Sequence, residues 1–482
     1  MTEASTTPAD SVATAPIGAV KAAVLLGGLV FAAALFGIWS RPIGFLSVFW
    51  PANPLLLGAL LYRPKLLQVS SALAVLIGYV AADLLTGSRL DVAIPLSMAN
   101  MLGVAVGWLL MRKRGQRILF MQSQSSALLI FFSVGAASLV SAAIGAPVLT
   151  RAFDTPPMQA FAMWLSGEWL NYMILLPPIL AWPTRHLQKT RAGNAPSPWA
   201  VLPVLLVVAL EVASFWLGGP GALAFSLPAL LWCALSYRIF TLTVITSLLC
   251  ISKVIAISLG SFDFTPAHFL ESVSIRIGLS MLILGPLSVA SAHASRTELM
   301  QRLKHAVNHD FLTDVLARSA FIRYGQRVLA RCAHEQLPVA VLMLDLDHFK
   351  RVNDRYGHAG GDLLLRRFSE EVSRALRPQD IVGRLGGEEF AVLLPQVNHR
   401  EALEIASRLN QITRQLQVPL GSDVISATVS IGLAFTEQVQ PGVGIDCLLQ
   451  QADQALYQAK AAGRDRFMEA ASLTDAGSTA VR

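Results

Sequence analysis

The sequence predicts a chain of two structural classes, an all-α bundle of membrane-spanning helices followed by a soluble α/β domain. Hydrophobic residues make up 54% of the 482 residues, charged residues only 14%, and the mean hydropathy is +0.54. Apolar runs of about 20 residues, the length that crosses a ~30 Å hydrocarbon core, follow one another from about residue 19 to residue 292. After Arg296 the composition becomes that of an ordinary soluble domain.

We expect about ten membrane spans, preceded by a disordered tail at 1–18. The predicted spans are 19–39, 43–61, 66–86, 92–111, 126–149, 161–182, 200–217, 221–237, 239–259 and 271–291. Loops on one side are rich in Lys and Arg, and loops on the other side carry isolated arginines and acidic residues. Because cytoplasmic loops carry the excess of basic residues, we expect both termini and the α/β domain to lie in the cytoplasm. The basic loop residues are Arg63, Lys65, Arg112, Lys113, Arg114, Arg117, Arg185, Lys189, Arg191 and Arg238; the opposite loops contain Arg41, Arg89, Asp91, Arg151, Asp154 and Asp263.

The formal net charge of +7 lies mainly in these short loops, so it does not indicate a nucleic-acid partner. Several polar residues fall inside the predicted spans, where an uncompensated charge is costly. Two interpretations stay open, a ligand-sensing cavity or pairing of Glu with Lys or Arg between helices. The residues are Asp83, Asn100, Glu168, Asn171, Glu211, Lys253 and Arg276. The absence of an internal repeat gives a transporter little support.

Residues 293–309 predict a helix that continues from the last span into the cytoplasm. Leu299, Leu303 and Val307 recur every four residues and form one apolar stripe. This stripe suits a partner helix, or it packs on its own domain as a plain connector.

The soluble half, 310–470, predicts an α/β sandwich with helices over one mostly antiparallel sheet. We expect helices at 317–334, 358–377, 399–417 and 444–462, and strands at Val339–Leu346 and 424–434. Between them lies a hairpin that turns at Gly386-Gly387, since glycines supply the positive φ angles of tight turns. The last residues, 471–482, predict a disordered tail.

Carboxylates follow two of these elements. Asp345 and Asp347 end a buried apolar strand, and Glu388 and Glu389 follow the hairpin glycines. Paired like charges are costly unless a cation or proton lies between them, and hard divalent cations prefer oxygen ligands. The pattern therefore favours a two-metal site that acts on a nucleotide phosphate, as in nucleotide polymerases, although each pair alone could be a solvated turn. No GxxxxGK[ST] loop is present, which argues against a Walker-type NTPase.

The order of the motifs resembles the GGDEF-domain diguanylate cyclases over about residues 305–470. The segments that carry the resemblance are Leu344 to Asp354, Gly357 to Asp362, Arg384 to Phe390, Ser430 to Gly432 and Tyr457 to Arg464. That family has a nucleotide cyclase or polymerase palm-like fold and condenses two GTP molecules into cyclic di-GMP with release of two pyrophosphates. The resemblance implies a homodimer, because each domain supplies one nucleotide to a twofold symmetric product.

The resemblance also implies roles for individual residues. Asp345, the Leu346 carbonyl and Glu388 would bind Mg²⁺ or Mn²⁺, about two ions per active site. Glu388 or Glu389 would help to remove the 3′-hydroxyl proton, and the sequence does not separate the two. The remaining roles are charge stabilisation on the phosphates by Lys350, guanine recognition by Asn353 and Asp362 with His358 nearby, and binding of the terminal phosphates by Lys460 and Arg464.

Arg377-Pro378-Gln379-Asp380 matches the family's RxxD site for product inhibition, to which Arg408 on the next helix would contribute. Two departures stand out from the family pattern. Asp314 and Ala317 replace the usual Gly and Asn of the opening motif, and Asp465 replaces the Asn that normally follows Gly-Arg.

Residues 20–290 loosely resemble the first type of bacterial membrane-associated sensor domain. The residues that carry this resemblance are Trp50 to Pro54, Tyr62 to Pro64, Gly78-Tyr79 and Trp164 to Pro178. It implies an inner-membrane protein whose helical half, 19–292, responds to a sensor ligand that the sequence does not identify. The alternatives to a feedback-inhibited cyclase are a catalytically silent cyclic di-GMP receptor and a cyclase of another purine dinucleotide.

Overall fold

The computed structural model describes residues 18–40, 49–183, 198–258, 269–440 and 442–470. The chain divides into two compact units, Met1–Glu298 and Leu299–Arg482. The predicted tails at 1–18 and 471–482 lie almost wholly outside the described residues. The same is true of Arg41, Asp263 and the basic loop that contains Arg185, Lys189 and Arg191.

The first unit is entirely helical within its described residues. Its helices are α1 (Ala19–Trp39), α2 (Ala52–Tyr62), α3 (Val69–Leu85), α4 (Leu90–Met111), α5 (Gln116–Leu119), α6 (Ser126–Phe153), α7 (Pro157–Leu180), α8 (Leu202–Leu217), α9 (Leu227–Ser236), α10 (Ile239–Ser258) and the long α11 (Phe269–Asn308). Short 3₁₀ turns lie at Pro64–Leu66, Pro198–Val201 and Pro220–Ala224. Large apolar side chains also cover the outside of the unit; Trp216 is 90% exposed. Such an apolar exterior is typical of a membrane protein.

Each of the ten predicted spans contains a helix, but the number of spans is not confirmed. Six helices in the described residues are long and apolar enough to cross a membrane: Ala19–Trp39, Leu90–Met111, Ser126–Phe153, Trp199–Leu217, Ile239–Ser258 and Phe269–Asn308. Three apolar helices are shorter, at Ala52–Tyr62, Val69–Leu85 and Gly221–Ser236. α7 has the length of a span but carries Gln159, Glu168 and Asn171.

The second unit contains a mixed six-stranded sheet in the order β1-β3-β4-β2-β7-β8. Its strands are β1 (Leu316–Ala317), β2 (Val339–Leu346), β3 (Ile381–Gly386), β4 (Glu389–Pro395), β7 (Val429–Thr436) and β8 (Phe467–Glu469). β2, β3, β4 and β7 pair antiparallel as expected, and the two short edge strands pair parallel with β3 and β7. The helices are α12 (Arg318–Glu335), α13 (Phe349–Ala375), α14 (His399–Gln415) and α15 (Ile445–Ala461).

Two predicted elements differ from the structure. α13 consists of two helical segments joined by a kink at Gly357, whose φ is 71°. The predicted helix at 358–377 corresponds to the second segment, and the first, which begins at Phe349, is missing from the prediction. The strand predicted at 424–434 is two elements, because β6 (Asp423–Ile425) forms a separate hairpin with β5 (Val418–Leu420). Gly421, with a φ of 62°, provides the turn between them.

The central strand β2 separates two cores. Its even-numbered residues, such as Leu342 and Leu344, pack with α13 and α14, whereas Val341 and Met343 pack with α12 and α15. This alternation follows from the period of two along a strand. Asp345 continues the series of Val341 and Met343, so the strand places it on the α15 side of the sheet.

We predict that Gly432→Ala destabilises the second unit severely. A Cβ at Gly432 would overlap the backbone of α15 at Ala452 and Leu456, and backbone cannot move aside as a flexible side chain can. We expect a loss of about 3 kcal/mol or more, in the range of severe overpacking. Thermal unfolding of the purified full chain measures it. Gly444→Ala is the control, because its Cβ would meet only the Gln326 side chain, at 3.7 Å. Equal melting temperatures for the two variants would contradict the close packing of β7 on α15.

Candidate active site

The end of β2 and the β3–β4 hairpin lie side by side at one edge of the sheet. Asp345 is the cross-strand neighbour of Glu389, and the Leu346 amide donates to the Glu388 carbonyl at 3.4 Å. The structure therefore brings the pair Asp345 and Leu346 next to the pair Glu388 and Glu389. The two pairs lie more than 40 residues apart in the sequence.

The hairpin turn depends on one glycine rather than two. Gly386 pairs with Glu389, so Gly387 and Glu388 are the central residues of the turn. Gly387 has a φ of 49°, while Gly386 is not among the residues with positive φ. A positive φ at the first central residue is the pattern of a type II′ turn. Gly386 thus does not need glycine for its φ angle.

Arg384 fixes the tip of this hairpin. Its Nε and one Nη donate to the Gly387 carbonyl at 2.9 and 2.7 Å, and its other Nη donates to Asp310 Oδ1 at 2.9 Å. Asp310 also accepts bonds from the backbone amide and the hydroxyl of Thr313. Burial opposes the charge of Asp310, but the bonds from Thr313 and Arg384 outweigh it and lower its pKa. The sequence predicts no role for Asp310 or Arg384. The Asp-x-x-Thr spacing is a local capping signal, and it indicates the bond between Asp310 and Thr313.

Asp345 is 7% exposed, and its Oδ2 lies 2.7 Å from Lys460 Nζ. Burial raises the pKa of Asp345, the bond from Lys460 lowers it, and the charges of Glu388 and Asp347 raise it further. The net direction is upward, with burial as the largest cause. Lys460 was predicted to bind phosphate; in the structure its partner is a carboxylate.

Glu389 experiences the same crowding. Partial burial raises its pKa first, followed by the negative charge of Asp345, with smaller contributions from Asp453 and Glu388. Asp453, on α15, is a nearby carboxylate to which the sequence assigns no role.

Asp347, by contrast, is held by the protein itself. It is 5% exposed, and its two oxygens accept bonds from Ser430 and Thr428 at 2.7 Å and from the Asp465 amide at 3.0 Å. These bonds join the end of β2 to β7 and to the segment before β8. Asp465, where the family has Asn, additionally binds Arg414 at 2.7 Å. Asp347 is therefore placed to stabilise the site rather than to coordinate a ligand.

The residues predicted to recognise guanine all lie on α13. A Cβ at Gly361 would collide with Asn353 Oδ1, so glycine at 361 makes room for this amide. His358 and Asp362 are exposed beyond the interruption at Gly357. The structure thus gathers Asn353, His358 and Asp362 on the two sides of one helix irregularity.

Two predicted cations stand apart from the carboxylates. In the described part of the chain, the side chains of Lys350 and Arg464 are exposed and make no hydrogen bond or ion pair. Arg464 has a φ of 63°, in the loop directly after α15 that also contains Gly463.

The RxxD residues also come together. The Arg377 amide donates to Asp380 Oδ2 at 2.8 Å, and Arg408 Nη donates to the Ala375 carbonyl at 2.6 Å. Burial raises the pKa of Asp380, while the Arg377 amide and the charges of Arg377 and Arg408 partly offset this rise. Asp380 Oδ1 is buried and has no hydrogen-bond partner among the described residues. A buried acceptor of this kind costs free energy unless a ligand or water binds it.

Comparison with known proteins identifies the family. Residues 307–466 match the family model described as "Diguanylate cyclase, GGDEF domain". The probable diguanylate cyclase DgcF of Escherichia coli K12 is 31% identical over 275 residues, which cover 55% of this chain and 85% of that protein. The chain belongs to the GGDEF-domain diguanylate cyclases.

Similarity to the family extends beyond the catalytic unit. DgcF of Escherichia coli O157:H7 is 28% identical to this cyclase over 438 residues, 88% of this chain and 90% of that protein. A crystal structure of the coiled coil and GGDEF domain of DgcB from Caulobacter crescentus with c-di-GMP covers 38% of the cyclase and 95% of its own chain, with 27% identity and a TM-score of 0.35.

We predict that Asp310→Ala lowers the free energy of unfolding of the second unit of the cyclase by about 1–3 kcal/mol, the cost of losing bonds to a charged, mostly buried acceptor. Because the folded pKa of Asp310 is lowered, its stabilisation is complete above the unfolded pKa, about 3.9. It is lost as the pH falls through the folded value. Melting temperatures between neutral and acid pH measure both effects. Asp354→Asn, a change of an exposed aspartate on α13, is the control; an Asp310→Ala protein as stable as this control would contradict the role of the Arg384 contact.

Proposed function

We propose that the chain is a membrane-bound, homodimeric diguanylate cyclase that is inhibited by its product and regulated by its helical half. In this proposal residues 19–292 form the membrane sensor domain, 293–309 the signalling helix and 310–470 the catalytic domain. The observation that supports the catalytic part best is the convergence of Asp345, Glu388 and Glu389 at one edge of the sheet, beside Lys460.

The carboxylates suit Mg²⁺ or Mn²⁺. Burial and mutual repulsion raise the pKa of Asp345 and Glu389, and a divalent cation relieves such crowding. We propose that Asp345, the Leu346 carbonyl and Glu388 hold the metal, about two ions per site. When bound, it supplies charge neutralisation at the nucleotide phosphates and activation of the attacking hydroxyl.

The cationic side chains would act on the phosphates of GTP. Lys460 has a 2.7 Å contact with Asp345, which a metal ion can replace, so that the lysine becomes available for a terminal phosphate. Lys350 and Arg464 are exposed and can rotate toward phosphate charge. We propose that the Asn353 amide donates to acceptor atoms of guanine and that the Asp362 carboxylate accepts from its N–H groups, with His358 nearby. Glu388 or Glu389 would receive the 3′-hydroxyl proton.

The proposed dimer is consistent with an exposed apolar stripe. The predicted stripe of Leu299, Leu303 and Val307 is 55–59% exposed near the end of α11, and Met300 beside it is 48% exposed, so that Met300, Leu303 and Val307 are spaced by three and four residues. This spacing is that of a coiled-coil seam. A second copy is the partner that the chemistry requires, because the product contains two GMP units related by twofold symmetry and each chain supplies one hairpin. Ligand binding to the helical unit would change how the two catalytic domains meet.

Product inhibition is supported by the geometry of Arg377, Asp380 and Arg408. Two guanidinium groups lie close enough to Asp380 to influence its pKa, and Asp380 Oδ1 lacks a partner among the described residues. A nucleotide carrying anionic phosphates and a guanine N–H donor fits this combination of charges.

The bilayer is the proposed environment of the helical unit. The six long apolar helices support a bacterial inner-membrane protein, and the loops rich in Lys and Arg favour a cytoplasmic catalytic domain in this proposal. We expect GTP as the substrate rather than another purine nucleotide, because Asn353 and Asp362 complement guanine.

We predict that the purified full chain converts GTP and Mg²⁺ into cyclic di-GMP, and that Glu388→Gln and Glu389→Gln each lower the rate at least about 100-fold, as expected when a proton acceptor or metal ligand is lost. Chromatography of the products measures this. Glu404→Gln, on the exposed face of α14, is the matched control.

Full activity in both glutamate variants would contradict the assignment of the hairpin carboxylates. A folded dimeric wild type that binds cyclic di-GMP but makes none would instead support the receptor alternative. A mixed or adenine-containing product would support the other purine cyclase.

We predict that Arg377→Ala leaves the initial rate unchanged and weakens inhibition by cyclic di-GMP about 10- to 100-fold, the value of a charged hydrogen bond. Progress curves with added product measure it. Arg374→Ala, in the last turn of α13 just before Arg377 and paired with Glu370 and Glu371, is the control. If wild type and Arg377→Ala slow equally as product accumulates, the RxxD residues do not form the inhibitory site.

A further inference from the structure

The helical unit contains a cavity of about 110 Å³ that the catalytic site does not use. It lies where α3 and α6 end and where α2, α4, α7 and α11 begin. Its charged lining comprises Glu168, Asp83 and Arg276, its polar lining includes Asn100 and Asn171, and its aromatic lining includes Trp50 and Trp164. At about 30 Å³ for each water, this volume corresponds to three or four water molecules, which is the bulk of a small amino acid.

Glu168 presents a fixed carboxyl group in this cavity. It is 7% exposed, and its oxygens accept bonds from Asn53 Nδ2 at 2.7 Å and Trp164 Nε1 at 2.8 Å. Asn53 is itself fixed, because it donates to Asn100 and accepts a bond from the Tyr79 hydroxyl. All these partners are neutral in charge. The network therefore orients the carboxylate without supplying a positive charge to balance it.

Arg276 is a cation in the same cavity. Its Nη1 donates to the Met163 carbonyl at 3.0 Å. A Cβ at Gly167 would lie only 3.2 Å from this nitrogen, so glycine lets the guanidinium lie against α7, one residue before Glu168. Within the described residues, no ion pair joins Arg276 to Glu168.

The other polar pair predicted inside the spans behaves differently. Lys253 is fully buried, and its Nζ lies 2.8 Å from Glu211 Oε2. The interpretation of helix-to-helix ion pairing therefore holds for Glu211 and Lys253. It does not hold for Glu168 and Arg276, whose opposite charges face a common space instead of each other.

We propose that this cavity binds a free amino acid, with the ligand carboxylate on Arg276 and the ligand ammonium group toward Glu168. A guanidinium group recognises a carboxylate through paired N–H donors, and a buried carboxylate is balanced by an ammonium group. Trp50 and Trp164 offer aromatic surface to the rest of the ligand. The loops at this end, 86–89 and 154–156, belong to the side opposite the basic loops, so the ligand would enter from outside the cytoplasm.

The site also suggests how the signal starts. Arg276 belongs to α11, which runs as one helix to Asn308. A ligand that binds Arg276 differently in two arrangements of α11 shifts the balance between them. This consequence rests on the proposed regulation by the helical half, whereas binding itself does not.

The experiment uses the full chain in lipid nanodiscs and measures thermal stability and tryptophan fluorescence with each proteinogenic amino acid. For any amino acid that binds, we compare its amide, which lacks the carboxylate, and its deaminated acid, which lacks the ammonium group. We expect both analogues to bind about 10- to 100-fold more weakly. Arg276→Gln should bind the amino acid no more tightly than its amide. Glu168→Gln should bind the amino acid no more tightly than the deaminated acid.

Two further variants keep the test decisive if the charge variants do not fold. Gly167→Leu retains both charges and should abolish binding because its side chain fills the space. The variant should keep its helix, since leucine is a better helix former than glycine. Arg89→Gln, at the same end of the bundle but outside the cavity lining, should bind as wild type does. Binding of no amino acid, or equal binding of the deaminated acid, would overturn the proposal. Loss of cyclic di-GMP synthesis with intact amino-acid binding would instead contradict the proposed enzyme and leave this site standing.

Discussion

The active site is organised by negative charge that the protein gathers and only partly neutralises. Asp345 ends a strand that is buried along its whole length, and its cross-strand neighbour is Glu389. The 2.7 Å contact with Lys460 is the main internal compensation for this cluster. Burial first, and then the charges of Glu388 and Asp347, keep the pKa of Asp345 raised despite that contact. In the proposed mechanism a cation at these carboxylates relieves their repulsion and frees the lysine for the nucleotide phosphates.

The rest of the second unit keeps these groups in place. Glycine at 432 lets α15 approach β7 closely, which brings Lys460 to the sheet edge. Arg384 and Asp310 fix the hairpin tip, and Asp347 ties three segments together behind it. A symmetric dinucleotide calls for two such hairpins, and in the proposed homodimer the second would come from another chain, which would make the meeting of the two domains the point of control. In the helical unit, Glu168 and Arg276 likewise face a common cavity, and the proposed ligand would pair with both.

Local pattern predicted most elements of the second unit, and longer-range contacts explain what it missed. β2 was predicted with its observed bounds, Val339–Leu346, because a short, almost continuous apolar run is typical of a buried strand. The prediction of one strand at 424–434 was wrong because its first residues pair across the Gly421 turn with β5, a strand of only three residues. The order of the motifs predicted the residues of the proposed metal site. It did not predict the structural roles of Asp347 and Arg384, because their partners lie up to 118 residues away in the sequence. No local rule reveals which of several carboxylates is already satisfied.

The most direct test is an experimental structure of the full cyclase with a non-reactive GTP analogue and Mg²⁺ or Mn²⁺, with the metal located by the anomalous signal of Mn²⁺. We predict metal density against Asp345, with the Leu346 carbonyl and Glu388 as further ligands, and Lys460 moved from Asp345 to a phosphate. Bound nucleotide with Lys460 still paired to Asp345 and no metal at these carboxylates would contradict the account.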